Sequence, residues 1–186
     1  MSDPAHAFAS RDIALAWRTC LGGWKPPTPI TLIAGSHSDP AWKEWMESTW
    51  RPVLLPATAM VHEAAISGRA KAVAHHDCQI SKELPDLQAS GSQRIGRLFC
   101  ERFSRTTGDK LWRGYLNLLD GRETSGHLMV CVATRAARFH FSPSMAALLL
   151  LAVETHASGI PFTSRRFLRF RDEAMSDMPP RFLKSA

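Results

Sequence analysis

Between Ser92 and Arg138 apolar residues and arginines interleave at helical spacing, a pattern that a helical bundle can use and a sheet cannot. Ile95, Leu98, Phe99 and Phe103 fall at i, i+3, i+4 and i+8 and predict one apolar stripe. Arg94, Arg97, Glu101 and Arg105 fall on the other side of the same helix. Two accounts of that side are open. It is a solvated face with one i,i+4 pair, Arg97 against Glu101, or a surface whose planar guanidinium forks suit phosphate oxygens. Gly96 interrupts the pattern at a cost of about 1 kcal/mol of helix propensity relative to alanine. A glycine in that position predicts that another backbone approaches closely.

The remaining elements also read as helices. Ser10 caps a helix in which Ile13, Trp17 and Leu21 recur every four residues, and Gly22-Gly23 ends it. Asp39-Pro40 opens a second, carrying an aromatic stripe of Trp42, Trp45, Met46 and Trp50 that reads as core. Pro52 and Pro56 punctuate the chain before a small-residue helix from Ala57 to Ile66. The polar text from Arg69 to Gly91 reads as a connection between two lobes. Asp109 to Leu119 is helical again, and Thr124 or Ser125 starts a helix packing Leu128, Cys131 and Val132, with Arg135 and Arg138 pointing elsewhere. After Ser142-Pro143, the run MAALLLLAV is apolar all round, as a fully buried helix must be. A last helix from about Thr163 alternates Phe167, Phe170 and Ala174 with Arg165, Arg166 and Arg169, and the tail is irregular. The expected fold is all-α, a helical bundle in two small lobes, 1–91 and 92–186.

Chemistry is harder to find. His62-Glu63 begins the zinc-protease pattern HExxH, but Ile66 stands where the second histidine belongs. His75, His76, Asp77 and Cys78 are adjacent, and adjacent side chains on one segment rarely converge on one ion, so a polar connection explains them better. Gly35-Ser36-His37-Ser38 and Gly91-Ser92 do not complete a GxSxG elbow. Gly108-Asp109-Lys110 lacks the spacing of a phosphate loop. His127, His140 and His156 read as packing or capping residues. The expectation is no enzyme, no cofactor and no metal.

Charge supplies the positive argument. The 186 residues carry 23 Lys and Arg, mostly arginine, against 17 acids, a net charge of +6, which is compatible with a nucleic-acid partner. The four cysteines have no CxxC spacing. The opening MSDPAHAF lacks signal-peptide character, and the longest apolar run, Met145 to Val153, is too short to span a bilayer. A cytoplasmic protein with reduced thiols and no membrane partner is expected. Arg94, Arg97, Arg105, Arg135, Arg138, Arg165, Arg166 and Arg169 fall off the apolar stripes of their helices, so they are the residues expected to hold a nucleic-acid backbone, without reading its sequence.

The order Ile95-Gly96-Arg97-Leu98, Leu111-Trp112 to Leu118-Leu119-Asp120, Leu128 with Arg135, then Phe139-His140-Phe141 before a Leu-rich helix resembles the CasB-type small subunit of the CRISPR surveillance complex Cascade. That resemblance implies a non-catalytic helical subunit, lying beside neighbouring copies of itself and other Cascade subunits, that contacts guide RNA and target DNA. The chain also resembles a second family, the UreF-type urease accessory protein that helps deliver nickel. The shared residues there are Glu83-Leu84 in an ELPxL motif, Ile95-Gly96-Arg97 and Gly126-His127. That resemblance implies a helical chaperone of urease maturation.

Overall fold

The computed structural model describes residues 10–26, 39–104, 108–176 and 178. Every regular element among them is a helix: α1 (Ser10–Leu21), α2 (Asp39–Trp45), a π-helical segment (Met46–Leu54), α3 (Leu55–Ile66), α4 (Ala70–Glu83), α5 (Asp86–Phe103), α6 (Lys110–Asp120), α7 (Leu128–Arg138), α8 (Pro143–Ala157) and α9 (Arg165–Ser176). The expected all-α fold is what the structure shows.

The bundle is built around α7 and α8. Every residue of α7 from Leu128 to Ala137 is buried, and so is every residue of α8 from Ser144 to Thr155. Each fully buried leucine in α8 is worth roughly 1.5–3 kcal/mol of apolar transfer. Helices α1, α3, α4 and α5 pack on α7, while α1, α3 and α9 pack on α8. Buried apolar residues from before and after residue 91 belong to one cluster, with α3 lying against both α7 and α8. No helix among the described residues is long and apolar enough to cross a membrane.

The start signals in the sequence do what their chemistry allows. The Asp109 carboxylate caps α6, accepting the N–H groups of Leu111 at 2.9 Å and Trp112 at 3.4 Å. Ser142 caps α8, its hydroxyl accepting from Met145 N–H at 3.2 Å with Pro143 in the first turn. The tryptophan stripe is core: Trp42 stacks on Phe170 with ring centroids 3.8 Å apart, and its Nε1–H donates to Glu173.

Four local readings need correction. Pro52 does not interrupt the chain; it sits inside the π-helical segment, where the wider turn lets Leu55 N–H donate to Trp50, five residues back. The presumed polar connection 69–91 is helix except at its turns, because α4 buries Val73, Ala74, Asp77 and Ile80 on one face. Leu98, expected on the apolar stripe, is 43% exposed. And α7 starts at Leu128, leaving Thr124 to His127 as a non-helical turn.

Candidate functional site

Asp77, on α4, is completely buried and gathers the hydrogen bonds of that turn. Its Oδ2 accepts the hydroxyls of Tyr115 (3.0 Å) and Thr124 (2.5 Å) and the N–H groups of Ser125 (3.0 Å) and Gly126 (2.6 Å), while Oδ1 accepts His127 N–H (2.9 Å). A buried carboxylate is tolerable only when its oxygens are satisfied in this way. Burial holds the Tyr115 hydroxyl well above its ordinary pKa, so it remains a donor. The arrangement fixes three consecutive N–H groups that would otherwise be orphaned ahead of α7.

The same turn meets α5. Gly126 has φ +82°, and the place of a Cβ on Gly96 is occupied by backbone of the turn: the Gly126 carbonyl, the Leu128 nitrogen (2.6 Å) and the His127 carbonyl carbon (2.8 Å). The close approach predicted for Gly96 is therefore real. His127, also fully buried, turns its Nε2 to Ser81 Oγ (2.8 Å) and to the Gln93 amide nitrogen (3.3 Å), while its Nδ1 has no hydrogen-bond partner among the described residues.

Two buried histidines should make the fold acid-sensitive. His62 on α3 faces the Phe141 carbonyl between α7 and α8 at 2.7 Å. Burial lowers the pKa of His62 and of His127, opposed by the Phe141 contact in the first and by Asp77 in the second. Because the unfolded chain takes up protons near pH 6.5 and the folded chain resists, the stabilisation is complete above that pH. It is lost as pH falls from about 6.5 towards the lowered folded values. Urea midpoints should drop between pH 7.5 and 5, with a slope bounded at about 1.4 kcal/mol per pH unit for each histidine. Replacing both by glutamine should make the profile shallower, the remainder coming from His76 and His156, whose pKa values burial also lowers; an unchanged profile would show that other groups cause the acid loss.

Beside the turn, α5 and the end of α6 enclose an open groove of about 440 Å³ lined by Arg97, Glu101, Ser104, Leu119, Asp120 and Arg122, with Cys100 also at its wall. Both signs of charge meet here, and Arg122 adopts φ +60° at the α6 C-terminus. The Cys100 and Cys131 thiols lie 3.4 Å apart beneath it, and the four cysteines are free. Such a lining suits recognition of a polar surface.

A protein-family model, UreF, matches residues 36–156, from before α2 almost to the end of α8. This chain belongs to the UreF family. No curated protein and no solved structure matches the chain. The Glu83-Leu84, Ile95-Gly96-Arg97 and Gly126-His127 motifs all lie inside the UreF match, and the last two are where α5 crosses the turn.

The resemblance to the Cascade small subunit is overturned by this match. The Cascade subunits, guide RNA and target DNA expected as partners fall with it, as does the reading as a subunit for antiviral defence. The physical reason is that Ile-Gly-Arg and leucine-rich helix ends serve close helix crossing in any bundle, so those motifs carry packing rather than partner identity.

The arginines expected on one basic surface are placed differently from one another. Arg94 and Arg97 are exposed on α5, and Arg97 lines the groove. Arg138 is exposed and pairs with the α6 cap Asp109. Arg165 and Arg169 are exposed on α9, with Arg166 half-buried, and the guanidinium groups of Arg166 and Arg169 each lie 5.4 Å from the Phe170 ring centroid. Arg135, expected at the surface, is 8% exposed. It donates to the Cys20 carbonyl at 2.6 Å and lies 4.0 Å above Phe103. Its flat cation completes a core of aromatic faces, which spacing alone did not distinguish from exposure. Arg105 lies outside the described residues.

The side chains of the His75–Cys78 cluster diverge. The His75 and His76 rings are 5.8 Å apart, Asp77 points into the core, and Cys78 donates to the Glu123 carbonyl at 3.5 Å. Among the described residues no three His, Cys, Asp or Glu side chains group as a metal site. Sequence reasoning passed over Asp77 because its neighbours are polar. The signal that would have found it is its spacing of four residues from Val73 and three from both Ala74 and Ile80, which places it on their buried face.

Proposed function

We propose that this chain is a non-catalytic accessory protein of urease maturation, which assists nickel delivery by holding partner proteins in the cytoplasm. The observation that carries the reading is the UreF match across residues 36–156. The partners expected for such a chain are the accessory proteins UreD and UreG, with nickel as their cargo. The helical scaffold supports a role in holding: α7 and α8 form a rigid centre, and the Asp77 network fixes the turn that borders the mixed-charge groove. Within this proposal the groove containing Arg97 and Arg122 contributes to partner docking, because exposed charge at a rim steers and orients association.

The test is co-expression of the tagged chain with UreD and UreG, together with complementation of cells that lack their own UreF. Co-purification and restored urease activity are expected. Reversing Arg97 and Arg122 to glutamate should reduce co-purification at least tenfold while leaving the helical spectrum unchanged. A chain that neither co-purifies with these proteins nor restores urease would overturn the proposal.

A further inference from the structure

A second cavity is lined by residues from the two flanks of the chain. It is built by Ala14, Trp17 and Arg18 of α1, by Lys25 after that helix, by His156 near the end of α8, and by Phe162, and it measures about 460 Å³. Helix α1, Lys25 and Phe162 all lie outside residues 36–156, so most of this cavity is built by segments the family match does not include.

Its floor and its rim have different chemistry. Trp17 is 5% exposed and lies against Phe162 with centroids 5.5 Å apart and planes tilted by 30°, while the His156 ring meets Trp17 edge-on at 5.3 Å. These rings supply the apolar part of the lining. Arg18 and Lys25 are exposed above it, and among the described residues no carboxylate lines the cavity. Burial and, after it, the Lys25 ammonium both lower the pKa of His156, and the second cause has the direction that positive potential from the rim cations dictates. An anion placed there gains from this potential, and a partly desolvated site strengthens the attraction.

We propose that this pocket binds a small amphiphilic anion, an aryl carboxylate or sulfonate, with its ring system against Trp17 and Phe162 and its charged group at Arg18 and Lys25. The volume falls within the range of small-molecule sites, in which apolar walls supply contact and a few charged groups fix orientation. A cation is disfavoured by the rim. A free inorganic anion would leave the aromatic wall unused.

The probe is 8-anilinonaphthalene-1-sulfonate added to the full chain, with naphthalene-2-carboxylate and its uncharged carboxamide as competitors. One equivalent of probe should bind with fluorescence enhancement, and the carboxylate should displace it at a concentration at least tenfold below that of the carboxamide. In an Arg18→Ala/Lys25→Ala variant the two competitors should become equal, because only the charged group has lost its partners. Ala14→Phe, which fills the cavity from α1 while keeping both rim cations, should abolish the stoichiometric probe binding. Urea midpoints on both variants verify that the fold is retained. Absence of probe binding, equal potency of the two competitors on the parent chain, or unchanged binding in a folded Ala14→Phe variant would each overturn the proposal.

Discussion

Gly96→Ala should lower the unfolding free energy by at least about 3 kcal/mol, the upper end of the usual cost of overpacking. In an isolated helix the same change would stabilise by about 1 kcal/mol, so the sign is decided by tertiary contact. The added methyl meets the Gly126 carbonyl, the Leu128 nitrogen and the His127 carbonyl carbon. Those are main-chain atoms, which cannot rotate aside as a flexible side chain would. Relief requires α5 to move off the turn and off α7, and both are embedded in the core. For a chain of this size the loss corresponds to roughly 6–12 °C in melting temperature. Gly108→Ala is the control, since a Cβ there meets nothing within 4 Å, and it should change stability by no more than about 0.5 kcal/mol. A Gly96→Ala variant as stable as its parent would show that α5 does not cross the turn as described.

Asp77→Ala should cost about 4 kcal/mol in urea unfolding. It removes the acceptor of five hydrogen bonds at once, leaving two hydroxyls and three N–H groups in a buried space. Each hydrogen bond to a charged group is worth about 1.5–3 kcal/mol, but the five share one carboxylate and one relaxation, so the total falls within the range for breaking a buried ionic network. Asp77→Asn separates the contributions. An amide oxygen can keep the place of Oδ2 and its four donors, while the NH₂ group then confronts His127 N–H where Oδ1 had accepted it. The expected loss is about 2 kcal/mol, between parent and alanine. If Asp77→Ala shifts stability by less than about 1 kcal/mol, the turn is held by something other than this carboxylate.

Both variants also bear on function. Gly96 and Asp77 act on the same four-residue turn from opposite sides, one by making room and the other by supplying acceptors. A loosened turn should weaken association with UreD and UreG at concentrations where the variant is still folded, if the neighbouring groove takes part in docking as proposed.

Much of the architecture was written in local residue order. The helix at Pro143–Ala157 follows from a Ser-Pro start and an unbroken apolar run, which has no stable arrangement except enclosure by other helices. Gly96 announced a close backbone approach because a mid-helix glycine is costly without one. The UreF motifs were legible too, yet they shared Ile95-Gly96-Arg97 with the resemblance that the family match overturned, and three residues that serve packing cannot choose between two helical families.

What the sequence by itself determined is the all-helical fold, the helix starts at Asp109 and Ser142 and the presence of one tight crossing at Gly96, because these depend on neighbours within a turn or two. Tertiary structure alone decided the fate of the charged residues. Asp77 and Arg135 sit in polar-looking or basic-looking text, and both are buried, one by five donors and the other by aromatic rings and a carbonyl. Helical periodicity gives the direction in which a side chain points relative to its own helix. Whether that direction leads to water or to a satisfied polar pocket depends on partners 32 to 115 residues away, and long-range pairing of that kind leaves no periodic signal in a single chain.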